Sequence, residues 1–150
     1  MRFARIAART ALVGALLAAG VAFAEGDATE PNAVLRETTM KAIGGSMKVL
    51  GDMAGGKTAY DAAAAEEAKA KLVAAVAEIP TSFATQGEAD PTSEAKPEIW
   101  ANWDDFLKDA EALKAAADAA DVSSVDTIKT AMGALGGACK DCHTEYRVMN

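Results

Sequence analysis

The sequence predicts an all-α protein, an antiparallel four-helix bundle whose reactive residues gather near the C-terminal end of the last helix. Three observations carry this. Of the 150 residues 51% are hydrophobic, yet only 5% are aromatic and alanine supplies much of the rest. Such a composition suits helices better than strands, which favour β-branched and aromatic residues. Apolar residues recur at three- and four-residue steps in four separate stretches, the spacing of one helix face. Glycine, proline and small polar residues punctuate the chain between them. Amphipathic helices joined by mostly short links pack as bundles.

Residues 1–24 stand apart. Arg2, Arg5 and Arg9 precede an uncharged, mostly apolar run from Thr10 to Ala24 that ends in Ala22-Phe23-Ala24. A basic start, an apolar middle and an A-x-A end describe a secretory signal peptide. Cleavage after Ala24 leaves residues 25–150 as one domain. The run falls short of the ~20 residues of a membrane-spanning helix, so no span is expected after cleavage. The competing reading is an uncleaved N-terminal anchor.

The first helix runs from Pro31, well placed in a first turn, to about Ala54. Leu35, Met40, Ile43, Met47 and Leu50 fall on its apolar positions. Gly44-Gly45 interrupts it, either as a weak point or as a place where another helix or a flat ligand comes close. Gly51, Gly55 and Gly56 mark its end. Thr58 is the expected N-cap of a second helix that runs to about Glu78, with Leu72, Val73, Val76 and Ile79 as its apolar edge. Pro80 closes it. Thr81 to Pro97 is the longest loop, with Phe83 folding back onto the core. A third helix is expected from about Pro97 to Ala120, with Ile99, Trp103, Phe106, Ala110, Leu113 and Ala117 as a continuous seam. Asp104, Asp105, Lys108, Asp109 and Glu111 lie mainly off that seam, as a solvated face. Ser123 or Ser124 caps the fourth helix. Its seam is Val125, Ile128, Met132, Leu135, Cys139, Cys142 and Tyr146.

Cys139-Lys140-Asp141-Cys142-His143 holds both cysteines of the chain and its only histidine. C-x-x-C-H is the pattern of covalent c-type haem attachment: the thiols add to the haem vinyl groups and the adjacent histidine ligates the iron. On a helix, both cysteines face the core and His143 lies one turn beyond Cys139. Two other readings compete. A disulfide is possible after export, but the redox C-x-x-C belongs near a βαβ pattern, which is missing here. A structural zinc site needs four ligands, and no second pair exists. The formal charge is −7, which argues against a nucleic-acid partner and suits a basic protein partner.

The segment Leu135 to Arg147, the stretch Ile99-Trp100-Ala101-Asn102-Trp103-Asp104-Asp105-Phe106, and Arg36 through Met47 with its Gly44-Gly45-Ser46-Met47 together resemble the class II c-type cytochromes, the cytochrome c prime family. The resemblance covers the whole mature chain and implies a bacterial periplasmic bundle carrying one covalently bound haem c. It implies Cys139 and Cys142 as thioether attachments, His143 as proximal iron ligand, Arg36 beside a haem propionate, and Met40 on the distal face. A low-spin branch of the family uses a first-helix methionine as the second ligand. Other members leave the iron open. Two functions follow as expectations: one-electron transfer with a periplasmic redox partner, or binding of NO or CO at a five-coordinate haem. An enzyme would need distal acid–base groups, and the single histidine is already spent. Arg147 is a second candidate for a propionate. Trp103 is expected in the core or against the haem, Trp100 partly exposed. Many members are homodimers through their first two helices.

Overall fold

In the computed structural model the described residues are 26–148. The expected signal peptide, residues 1–24, lies outside them. Six helices follow in order: α1 (Pro31–Ala54), α2 (Ala62–Ala77), α3 (Ile79–Phe83), α4 (Glu98–Ala101), α5 (Trp103–Ala119) and α6 (Val125–Tyr146). The four long ones form the bundle. α1 packs on α2 and α6, and α5 packs on the same two. Among the described residues the diagonal pairs do not meet, so one central core serves all four.

Each long helix has a local reason to start where it does. Glu30 caps α1, its carboxylate accepting from the Ala33 amide at 2.7 Å, and Pro31 follows in the first turn. Asp61 caps α2 and accepts from the Ala64 amide at 2.8 Å. Thr58 is not the cap that the sequence led us to expect. The amides of Lys57 and Thr58 instead bond to the Asp52 carbonyl, at 2.8 and 3.2 Å, and close off the end of α1. Ser124 caps α6, in a reciprocal box with Thr127.

The expected third helix is two. Asn102 leaves helical geometry (φ −124°, ψ 45°) and separates α4 from α5; asparagine is a weak helix former. The seam nevertheless holds, with Ile99, Phe106, Ala110, Leu113 and Ala117 all buried. α2 ends at Ala77, before Pro80 as expected, and Pro80 then sits in the first turn of the short α3, where its missing N–H costs nothing. Phe83, at the end of α3, folds back into the core as expected. Leu50, Leu72, Ile128 and Leu135 are wholly buried, each contributing roughly 1.5–3 kcal/mol of transfer free energy. Phe106 is the hub of an aromatic cluster. Its centroid lies 5.1 Å from Phe83, 5.4 Å from Trp103 and 5.4 Å from Tyr146.

Two positions of α1 differ from the sequence expectation. Leu35 is 45% exposed, while Arg36 is 5% exposed. The register that buries Ala33, Thr39, Ile43 and Leu50 turns Arg36 inward and Leu35 out. Gly44 and Gly45 do not interrupt α1, and a Cβ at either would meet no atom within 4 Å. Among the described residues no other part of the chain approaches there.

The loop from 84 to 97 is held by specific bonds. Asp90 accepts from the amides of Thr29, Glu30 and Thr92 at 2.8, 2.9 and 2.9 Å, and from the Thr92 hydroxyl at 2.6 Å. Trp100 Nε1 donates to the Phe83 carbonyl at 2.8 Å. Gly87 has φ +73°, and a Cβ there would stand 2.5 Å from the Glu30 carboxylate.

Gly87→Ala is therefore expected to destabilise the protein by roughly 1–2 kcal/mol from the left-handed backbone alone, and further by pushing Glu30 off its cap. Gly44→Ala, in open space, should stabilise by up to ~1 kcal/mol. Urea midpoints of the two variants should move in opposite directions; a shared direction would show that the loop does not hold this conformation. A second expectation concerns pH. Donors from Thr92 first, then from the amides of Glu30 and Thr29, hold the Asp90 carboxyl well below the usual carboxylate range. Its folded pKa lies below its unfolded one, so its contribution is full above the unfolded value of ~4 and fades as pH falls through the folded value. Asp90→Asn should lower stability at neutral pH and flatten the acid limb of the stability profile.

Candidate functional site

The capping box of α6 sets the register in which its far end meets the core. The Thr127 amide donates to Ser124 Oγ at 3.2 Å, and the Ser124 amide donates to Thr127 Oγ1 at 3.0 Å. From there Ile128, Leu135 and Tyr146 are buried, and Cys139, Cys142 and His143 are half-buried on the same side. Cys139 and Cys142 are not bonded to each other, which speaks against the disulfide reading.

These residues open on a small cavity of about 40 Å³. α6 supplies Cys139, Cys142 and His143. α1 supplies Met40 and Ile43, and α3 supplies Ile79. α5 supplies Phe106, Asp109, Ala110 and Leu113. Met40 and the C-terminal motif, at opposite ends of the chain, thus share one chamber. Arg36 lies one turn before Met40 but does not line the cavity. It is packed over the Trp100 ring at 5.1 Å and the Phe83 ring at 6.0 Å, and one terminal nitrogen donates to the carbonyls of Thr85 and Gln86, both at 3.1 Å. Its Nε is buried without a partner. Arg147 also stands away from the cavity, with its Nε donating to Glu94 at 2.7 Å. Trp103 is half-buried against Phe106, and Trp100 is half-buried over Arg36.

Asp109 is the residue that sequence reasoning missed. It was placed on the solvated face of its helix, yet it lines the cavity. Its carboxyl is pushed up by burial first, then by Asp141, Asp105 and Glu145. The available signal was position: Asp109 sits three residues after Phe106 and directly before Ala110, at the shoulder of the seam.

The electrostatics define which forms are present. The Cys142 thiol is pushed up to about 12, by burial first, then by Asp109 and Cys139. Burial likewise raises Cys139. Both are neutral at pH 7. Among the described residues no group of three or more His, Cys, Asp and Glu is arranged to hold a metal ion alone. His143 is lowered by burial first, then by Arg147, with Glu94 opposing. It is therefore neutral, with a lone pair to give to iron. Two neutral thiols one turn apart, a neutral imidazole, a thioether and apolar walls fit a covalently tethered porphyrin.

Known proteins agree with this geometry. The family model described as Cytochrome C' matches residues 33–147, from α1 to just past α6. Cytochrome c-556 from Agrobacterium fabrum is 35% identical over 141 residues, covering 92% of each chain. Cytochrome c' from Pararhodospirillum photometricum is 36% identical over 116 residues, covering 75% of this chain and 92% of its own. The solved structure of oxidised R. palustris cytochrome c556 has a TM-score of 0.72 at 29% identity, covering 80% of this chain and 98% of that one. The two cysteines make one attachment motif, and the cofactor is one covalently bound haem c. Bundle, cavity, motif and relatives converge, and the chain belongs to the cytochrome c' family.

Proposed function

We propose that the protein is a periplasmic one-electron carrier whose haem iron is held by His143 on the α6 side and by Met40 on the α1 side. The observation that carries this reading is the place of Met40. Its side chain lines the same cavity as Cys139, Cys142 and His143, from the other helix. When bound, the haem supplies Fe(III)/Fe(II) chemistry. The chain's own residues do the rest. Cys139 and Cys142 tether the group. His143 offers a neutral imidazole, and Met40 offers a thioether, a pair that favours electron transfer over binding of external ligands. Ile43, Ile79, Phe106 and Leu113 keep water from the cavity. Asp109 puts a negative charge beside Cys142, which favours the more positive, oxidised state.

The export signal expected in residues 1–24 supports a periplasmic place. Among the described residues no helix is long and apolar enough to cross a membrane. A basic redox partner suits the formal charge of −7. On α1, Val34, Leu35 and Val49 are exposed, a face that a homodimer through α1 and α2 would bury. For Arg36 the orphaned Nε supports a place beside a haem propionate, since a carboxylate would satisfy it.

Met40→Ala tests the reading. The wild-type protein should give low-spin spectra in both oxidation states and resist CO. The variant should turn high-spin, take up CO, and lose reduction potential by roughly 100 mV or more, a fraction of the ~0.8 V that axial ligands command. A wild-type protein that is already high-spin and binds CO, with spectra unchanged in the variant, would replace this reading with the gas-binding one. Arg36→Leu should lower stability by roughly 2–4 kcal/mol, because two charge-assisted bonds to the Thr85 and Gln86 carbonyls are lost. A urea midpoint within experimental error of wild type would show that Arg36 does not clamp that loop.

A further inference from the structure

The last turn of an α-helix leaves four carbonyls without partners. In α6 that turn is His143 to Tyr146, so the iron ligand proposed above lies in the part of the helix most prone to fray. Glycine commonly ends a helix by reaching back to these carbonyls, but α6 ends at Arg147 in extended geometry (φ −115°, ψ 137°). The partners come from elsewhere. The His143 carbonyl accepts from the Arg147 amide at 3.1 Å. The other three accept from one residue of the 84–97 loop. Lys96 Nζ donates to the carbonyls of Glu145 at 3.0 Å and Thr144 at 3.4 Å, and the Lys96 amide donates to the Tyr146 carbonyl at 3.0 Å.

The flanking residues extend the contact. Ala95 and Arg147 form an antiparallel bridge. The Val148 amide donates to the Glu94 carbonyl at 2.8 Å, and Arg147 Nε donates to the Glu94 carboxylate at 2.7 Å. A cation at a helix C-terminus also opposes the negative end of the helix dipole.

We infer that Lys96 is a positioning residue for His143: it caps α6 from outside the helix and fixes the turn that presents the imidazole. The inference rests on His143 as iron ligand. Lys96→Met removes the ammonium and keeps the backbone bond. Lys96→Arg restores a cation of similar reach.

The test uses the haem-loaded protein and two measurements. The first is amide hydrogen exchange along α6. The second is proton NMR of the oxidised state, where the ring protons of an iron-bound histidine are shifted far from the ordinary range. In Lys96→Met, amides from His143 to Arg147 should exchange at least tenfold faster, while those from Ile128 to Leu135 keep their wild-type rates. The shifted His143 signals should move or broaden. Lys96→Arg should return both toward wild type. Wild-type exchange at the end of α6 in Lys96→Met would overturn the cap. Faster exchange with unchanged His143 signals would overturn the positioning role and leave a purely structural one. Wild-type protein without shifted His143 signals would refute His143 ligation itself, a failure separate from the other two.

Discussion

Covalent attachment through one end of one helix is the constraint on which this structure depends. Cys139 and Cys142 are three residues apart on α6 with His143 directly beside them, so a group tethered there meets the motif on one face and no more. Everything on the opposite face must come from another helix. In a ring of four helices in which diagonals do not meet, only a neighbour of α6 can reach it. Those neighbours are α1 and α5. α5 brings Phe106, Asp109, Ala110 and Leu113; α1 brings Met40 and Ile43. Of these Met40 carries the thioether, the donor that pairs with histidine on haem iron in electron carriers. The order of helices around the ring therefore decides which side chains can face the motif, before any local preference acts.

One acidic side chain lines the cavity, and it has consequences. Asp109 is partly desolvated, faces other carboxylates, and raises the Cys142 thiol along with burial. Both thiols are held in their neutral form as a result. The lowered His143 works in the complementary direction by keeping the imidazole in its ligating form. Burial thus serves two neighbouring residues in opposite chemical senses. It suppresses charge on both, which makes the sulfurs quiet and the nitrogen available.

The fold class and the C-terminal half of the site were legible in the sequence because both rest on periodicity. The seam from Ile99 to Ala117 survives the break at Asn102, since α4 and α5 still bury the same residues. The cysteines and His143 could be placed inward from their spacing alone. What could not be read was decided by non-local partners. Thr58 lost the cap to Asp61 because the end of α1 holds Thr58 three residues short of the α2 cap position, where the Asp61 carboxylate reaches the Ala64 amide. Leu35 yielded the buried position to Arg36, because Trp100 and Phe83 offer rings over which a guanidinium can lie. Asp109 looked solvated because a pattern of charged residues says nothing about which of them flanks a cavity.

The loop from 84 to 97 looked like a connector in the sequence, yet it touches both helices that carry candidate iron ligands. Asp90 binds the amides before α1, and Arg36 on α1 binds the carbonyls of Thr85 and Gln86. Gly87 lies against the Glu30 cap. Farther along the loop Glu94 and Lys96 hold the end of α6. The loop is thus a brace between the Met40 helix and the His143 helix, independent of their direct packing. Long loops without regular structure are usually tolerant of change, but this one spends its polar groups on two helix ends. Packing in the core sets how far apart α1 and α6 lie. The brace sets how each is turned and how firmly its end is held, and iron ligation is sensitive to both.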